Sequence, residues 1–103
     1  MNIEELIPLH TICTHYQTEI SFINGLREIG LIEINTIEEV HYIHQDQIRN
    51  IEKMIRIHHE LDVNIEGIDV VFNLLQRIND LQKELKQARN RLKIYEGEKN
   101  YKL

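Results

Sequence analysis

The chain has 103 residues, a length that suits one domain with a modest core. Seventeen acids against twelve bases give a formal net charge of −5, with 42% apolar and 28% charged residues, an ordinary balance for a folded protein. The lone Cys13 excludes an internal disulfide framework and a cysteine-rich zinc site, no apolar run approaches the ~20 residues of a membrane span, and the opening Met-Asn-Ile-Glu-Glu lacks the basic and apolar regions of a secretory leader, so a reduced, cytoplasmic compartment is expected.

Eighteen isoleucines, one proline and four glycines predict mostly helix with little sheet. Over residues 9–16, Leu9, Ile12, Cys13 and Tyr16 recur at helical spacing and predict a short first helix. Gln17-Thr18 breaks it, and Thr18 is the expected N-cap of a second helix reaching about Ile29, with Phe22, Ile23, Leu26 and Ile29 on its apolar face. Gly30 then falls at the left-handed position after the helix end. Two short helices joined by a tight turn form a helix-turn-helix candidate.

Leu31-Ile32-Glu33-Ile34 and Val40-His41-Tyr42-Ile43 read as two strands of a small hairpin, or wing, with a loop longer than the tightest turns. His44 is the expected cap of a third helix, with Gln47 at the reciprocal position of a capping box, and Ile48, Ile51, Met54 and Ile55 on its apolar face. Asp62-Val63-Asn64 ends that helix near Leu61, and Asn64 caps the last one. From there Val71, Ile78, Leu85 and Leu92 are seven apart, as are Leu74, Leu81, Ala88 and Tyr95, an a/d heptad seam with polar flanks. A helix of about 30 residues spans roughly 45 Å, longer than so small a domain is wide, so the seam is expected to meet a second copy of itself. The expected organisation is a helix-turn-helix domain with its supporting helix over 1–64, a long seam-bearing helix over 65–96 and a frayed tail over 97–103.

Charge is uneven along the chain. Residues 1–52 hold nine acids and only two bases, Arg27 and Arg49, a net −7, and the remainder sums to +2. An acidic front half repels phosphate and attracts basic protein surfaces. The six histidines do not form a metal site by spacing: His58 and His59 are adjacent on a helix and point about 100° apart, and no paired acids or cysteines close a tetrahedron. Gly25, Gly30, Gly67 and Gly97 form no phosphate loop, and Cys13 on an apolar face reads as a core residue, so neither a catalytic set nor a cofactor or metal is expected. A winged helix-turn-helix is a familiar DNA reader, but the second helix offers only Arg27, beside Glu28, and the wing offers Glu33, Glu38 and Glu39 without a lysine or arginine. Duplex binding draws on several basic contacts, so the charges argue against DNA. Arg49, Lys53 and Arg56 on the third helix are the reserve for that use.

The order of elements over residues 9–95 resembles the MerR-like fold: mostly α, a winged helix-turn-helix with a small β-hairpin wing and a long C-terminal coiled-coil helix. Regulators of that kind carry arginines in the second helix and the wing, where this chain has Asn24 and His41-Tyr42-Ile43-His44. The chain is also similar to the chaperone-modulator family CbpM in Cys13-Thr14-His15, Phe22-Ile23-Asn24, Gly30-Leu31-Ile32-Glu33, Glu39-x-x-Tyr42-Ile43, Arg56-Ile57-His58-His59-Glu60-Leu61, Gly67-Ile68, Leu74-Leu75 and Arg89-Asn90-Arg91-Leu92. That resemblance implies a bacterial adaptor that binds the J-domain of a DnaJ/CbpA-type co-chaperone and inhibits both its stimulation of the DnaK-type chaperone and its DNA binding. J-domains engage the chaperone through a basic helix, which an acidic surface would complement. From sign and exposure the candidate contacts are Glu33, Glu38, Glu39 and Tyr42, with Arg27 and Glu28 further out. Val71, Leu74, Ile78, Leu81, Leu85, Ala88 and Leu92 are the candidate homodimer contacts. The competing readings are a MerR-like DNA-binding regulator and a bare dimerisation module.

Overall fold

A computed structural model describes residues 3–101, with side chains placed for 4–97. After a 3-10 turn (Ile3–Glu5) come β1 (Leu6–Pro8), α1 (Leu9–His15), α2 (Ile20–Glu28), β2 (Asn35–Ile37), β3 (Val40–His44), a second 3-10 turn (Gln45–Gln47), α3 (Ile48–Leu61) and α4 (Ile65–Tyr101). The chain divides into two compact units between Asp69 and Val70, inside α4. The first unit holds the helix-turn-helix, the sheet, α3 and the first turn of α4. The second is the rest of α4.

The apolar periodicities seat the core of the first unit. Leu9, Ile12 and Cys13 of α1, Phe22, Ile23 and Leu26 of α2, and Ile51, Met54 and Ile55 of α3 are buried, joined by Leu6, Ile32, Ile43 and Ile68. Cys13 is a core residue whose thiol burial pushes upward, away from thiolate chemistry. Gly25 sits inside α2, where glycine normally weakens a helix, because a Cβ there would come within 2.3 Å of the Ile65 side chain. His58 ties the same corner together. Its ring stacks on Phe22 at 4.3 Å, and its Nδ1–H donates to the Val63 carbonyl at 2.9 Å.

Both turns of the helix-turn-helix end in the same way. After α2, Gly30 is left-handed at φ +83°; its N–H bonds to the Arg27 carbonyl, and the Leu31 N–H to that of Leu26. After α1, Gln17 takes φ +53° without being glycine; its N–H reaches the Thr14 carbonyl, and the Thr18 N–H that of Cys13. These are paired Schellman bonds, which satisfy carbonyls that helix ends would leave bare. Thr18 is consumed by the pair after α1. It is buried, Glu19 takes the N-cap place of α2, and the N-cap expected at Thr18 is corrected accordingly.

The sheet departs most from the sequence reading. It has three strands in the order β1-β3-β2, all antiparallel. β1 was not legible as a strand; Leu6, Ile7 and Pro8 pair with His44, Ile43 and Tyr42. Pro8 sits on an edge strand, where its missing N–H costs no ladder bond. The expected strand over 31–34 is irregular, and the strand is Asn35–Ile37 instead. The reason is Gln47: its side-chain amide accepts from the Glu33 N–H at 2.7 Å and donates to the Glu33 carbonyl at 2.8 Å. A single side chain thus supplies what a neighbouring strand would have supplied. The same bonds withdraw Gln47 from the capping box expected of it. His44 does cap, with its Nδ1 accepting from the Asp46 N–H at 3.1 Å, but it caps the 3-10 turn that leads into α3.

The hairpin loop is the tightest kind, not a longer one. Ile37 pairs directly with Val40, leaving Glu38 and Glu39 as a two-residue turn with φ +48° and +67°. Two consecutive positive φ values define the mirror-image turn whose twist matches a hairpin, and asparagine-glycine is its usual sequence. The other cap reading stands: Asn64 Oδ1 accepts from the Gly67 N–H at 2.8 Å at the start of α4. That helix runs past Gly97 to Tyr101, beyond the end expected at 96. One glycine costs a helix only about 1 kcal/mol, and no proline follows to stop it. Lys102 and Leu103 of the expected tail lie outside the described residues.

Candidate functional site

Within the first unit, the second helix of the motif and the wing present the candidate residues. The unit holds thirteen acids and four bases, a net −9, and the remainder of the chain is +4. Glu38 and Glu39 are both exposed at the wing tip, flanked by the exposed apolar pair Ile37 and Val40. Two carboxylates and two apolar side chains therefore share one projecting turn. Glu33 is exposed as well, but Gln47 fixes its backbone. It shares a shallow groove with Asn35, His44, Asp46 and Gln47. His44 links that groove to the N-terminal segment. Because its Nδ1 accepts from an amide, the ring proton sits on Nε2 and donates to the Glu5 carboxylate at 2.9 Å.

Tyr42 is half-buried on β3, next to the buried Ile43, and so on the opposite sheet face, between Pro8 and Asn35 of the flanking strands. Arg27 and Glu28 are exposed in the last turn of α2. The structure sets Arg27 apart from the three wing-side glutamates. It lines a separate cleft between α2 and the wing, with Asn24, Ile34, Thr36 and His41. There the Thr36 hydroxyl and His41 Nδ1 are 2.9 Å apart. Nothing in the linear order of residues signals this grouping, because it depends on which face of β3 carries His41. Asp46 and Gln47 were likewise missed as neighbours of Glu33.

A second feature of the unit lies on α1 and α3. The Tyr16 hydroxyl donates a hydrogen bond to Glu52, and this bond above all, with burial and the carboxylate charge behind it, pushes the phenol up to about 12. Arg49, Lys53 and Arg56 are exposed on α3. Among the described residues no three His, Cys, Asp or Glu side chains gather as a metal site would require, and no helix is long and apolar enough to cross a membrane.

In the second unit the heptad side chains lie open. Leu74, Ile78, Leu81, Leu85 and Leu92 are 50–58% exposed, Ala88 is exposed and Val71 is half-buried. Such a row of exposed leucines and isoleucine over residues 74–92 is unusual for a finished surface.

A profile described as MerR HTH family regulatory protein matches residues 7–90, which takes in α1, α2, the wing, α3 and most of α4. The chain belongs to the MerR HTH family. Neither a curated protein nor a solved structure matches it. Membership accounts for the scaffold of this MerR-type chain. The second helix and wing of that scaffold carry Asn24, Glu38, Glu39 and His41, and Arg27 is the single lysine or arginine before residue 49.

Proposed function

We propose that this MerR-type chain is a non-enzymatic adaptor that binds the J-domain of a DnaJ/CbpA-type co-chaperone. It covers the basic face with which that domain docks on its chaperone, and so inhibits the co-chaperone's chaperone and DNA-binding activities. The observation that carries the reading is the Glu38-Glu39 wing tip. Each residue occupies a left-handed conformation that costs an L-residue roughly 1–2 kcal/mol, in a turn that asparagine-glycine would make freely. Strain of this kind collects where side chains are used. Here it presents two carboxylates on a unit of net charge −9. Complementary potential of that strength steers a basic partner and fixes its register.

The test is a titration of a purified J-domain against the wild-type chain and the double variant Glu38→Lys with Glu39→Lys. The variant keeps the turn but reverses four units of charge. Its affinity is expected to fall about tenfold, with a shallower dependence on salt. Unchanged affinity removes the wing from the interface, and no binding by the wild type removes the J-domain reading. A second copy of the chain is the proposed partner of the α4 seam.

The family match favours a second reading, a DNA-binding regulator. Its phosphate contacts would have to come from Arg27 with Arg49, Lys53 and Arg56. Duplex binding by the wild type that weakens steeply with salt, and is lost on replacing those four bases, would establish it.

A further inference from the structure

The proposed function uses the acids of the surface and leaves its one base unexplained. Arg27 is exposed and forms no ion pair among the described residues, although the unit around it carries thirteen acids. It lines a cleft of about 180 Å³ whose other members are the Asn24 amide, the Thr36 hydroxyl, the His41 imidazole and Ile34. No carboxylate lines that cleft. The guanidinium brings five N–H donors in a planar fork, and the amide brings two more. When the Thr36 hydroxyl donates to His41 Nδ1, the ring proton lies on Nε2 and adds a further donor. Such a donor-rich hollow suits one compact oxyanion, which an arginine grips in bidentate fashion.

The surroundings decide which oxyanion. A nucleic acid brings a row of phosphates, and those beyond the first would meet a unit of net charge −9. One carboxylate carried on an otherwise basic protein segment satisfies both the cleft and the net negative charge of the unit that bears it. We infer that the cleft between α2 and the wing receives a single aspartate or glutamate side chain of the partner, with Arg27 as its principal ligand and Asn24 and His41 as flanking donors. The inference rests on the proposed function in taking a basic protein segment as the partner.

The sign of one substitution separates this site from general electrostatics. If Arg27 acted only through the overall field, Arg27→Gln would make the unit more negative and tighten its hold on a basic segment. If Arg27 holds a carboxylate, the same change weakens binding.

Two blocked pentapeptides, Lys-Lys-Glu-Lys-Lys and Lys-Lys-Gln-Lys-Lys, are titrated into the full-length chain and followed by NMR at the Arg27 and His41 side chains. The wild type is expected to bind the glutamate peptide about fivefold more tightly than the glutamine peptide. Arg27→Gln is expected to erase that preference, and Arg27→Lys, which keeps the charge but loses the fork, to retain only part of it. Glu38→Lys with Glu39→Lys should weaken both peptides while leaving their ratio intact. Equal affinities of the wild type for the two peptides overturn the inference, as does tighter binding of the glutamate peptide by Arg27→Gln. Inorganic phosphate or a short DNA duplex that moves the Arg27 and His41 signals at lower concentration than acetate also overturns it, in favour of a phosphate site. The peptide ratio is read without a J-domain, so failure of the J-domain to bind refutes the proposed function and leaves this site judged on its own data.

Discussion

The wing tip supplies a prediction in which stability and binding move in opposite directions. Glu38→Asn with Glu39→Gly installs the sequence that the observed turn prefers. Both positions are left-handed, at φ +48° and +67°, and Ile37 and Val40 pair directly across the turn, so the register does not change. Relief of strain is worth roughly 1–2 kcal/mol at a residue that becomes glycine, and less where asparagine, which tolerates this region, replaces glutamate. The new glycine returns roughly 0.5–1 kcal/mol through the greater freedom of the unfolded chain. Removal of the repulsion between two adjacent carboxylates adds about 0.3 kcal/mol. The net expectation is a gain of about 1 kcal/mol, seen in urea denaturation as a higher midpoint at unchanged slope. The same variant should bind the J-domain about tenfold more weakly, because both carboxylates are gone. A midpoint that falls or stays put would refute the strain argument. A raised midpoint with undiminished J-domain binding would show that the strain serves something other than the proposed contact.

Other expectations follow from single contacts. Gly30→Ala should destabilise the first unit by about 1–2 kcal/mol in urea denaturation, a purely conformational cost, since a Cβ there meets nothing within 4 Å while φ is +83°. A loss well under 0.5 kcal/mol would mean that the Schellman turn is not formed. Tyr16 favours its neutral form in the folded chain, with a phenol pushed up from 10.0 to about 12, so the stability it contributes is complete below pH 10 and is lost as pH rises through about 12. Tyr16→Phe should therefore lie below the wild type in urea midpoint at pH 8, with the gap closing as pH rises from 10 towards 12. A gap independent of pH contradicts the Glu52 bond. Leu85→Lys places a charge at the centre of the heptad seam, and should sediment as a single 12.4 kDa chain with the first unit's midpoint unchanged. A dimeric Leu85→Lys variant would remove the seam from any self-association.

The helices were legible because their apolar residues recur at a period that only one face of a helix satisfies. Leu9, Ile12 and Cys13, then Phe22, Ile23 and Leu26, then Ile51, Met54 and Ile55 all point into one core. Gly30 was legible for a different reason, since no other residue adopts its conformation as freely. The wing was only half legible. Leu31-Ile32-Glu33-Ile34 has the composition of a strand, but Ile32 is buried as a core residue while Gln47 satisfies the backbone beside it. A side chain fourteen residues away leaves no local trace in sequence. Glu38 and Glu39 concealed the turn in the same sense. Short-range turn rules look for asparagine and glycine, and these two residues adopt the conformation against their preference. The Arg27 cleft was illegible outright, because it required the pairing of Thr36 with His41 and a knowledge of which side of β3 faces α2.

The helix-turn-helix separates the residues that build the fold from those that meet a partner. A helix-turn-helix positions its second helix and wing for contact whatever side chains they bear, because the core that sets their geometry lies on the opposite faces. Here Phe22, Ile23 and Leu26 anchor α2 from inside, so Asn24, Arg27 and Glu28 stand on it without cost to the fold. Duplex binding draws much of its affinity from phosphate neutralisation by several bases, and the second helix and wing together supply one lysine or arginine. Three more bases stand on α3, in a unit of net charge −9. A basic protein segment meets no such shortfall. Under the proposed function the acids that would repel a duplex attract such a segment, the strained wing tip offers it two carboxylates, and the exposed Arg27, lining the cleft between α2 and the wing, adds a contact that a partner bearing an acid among its bases would complete.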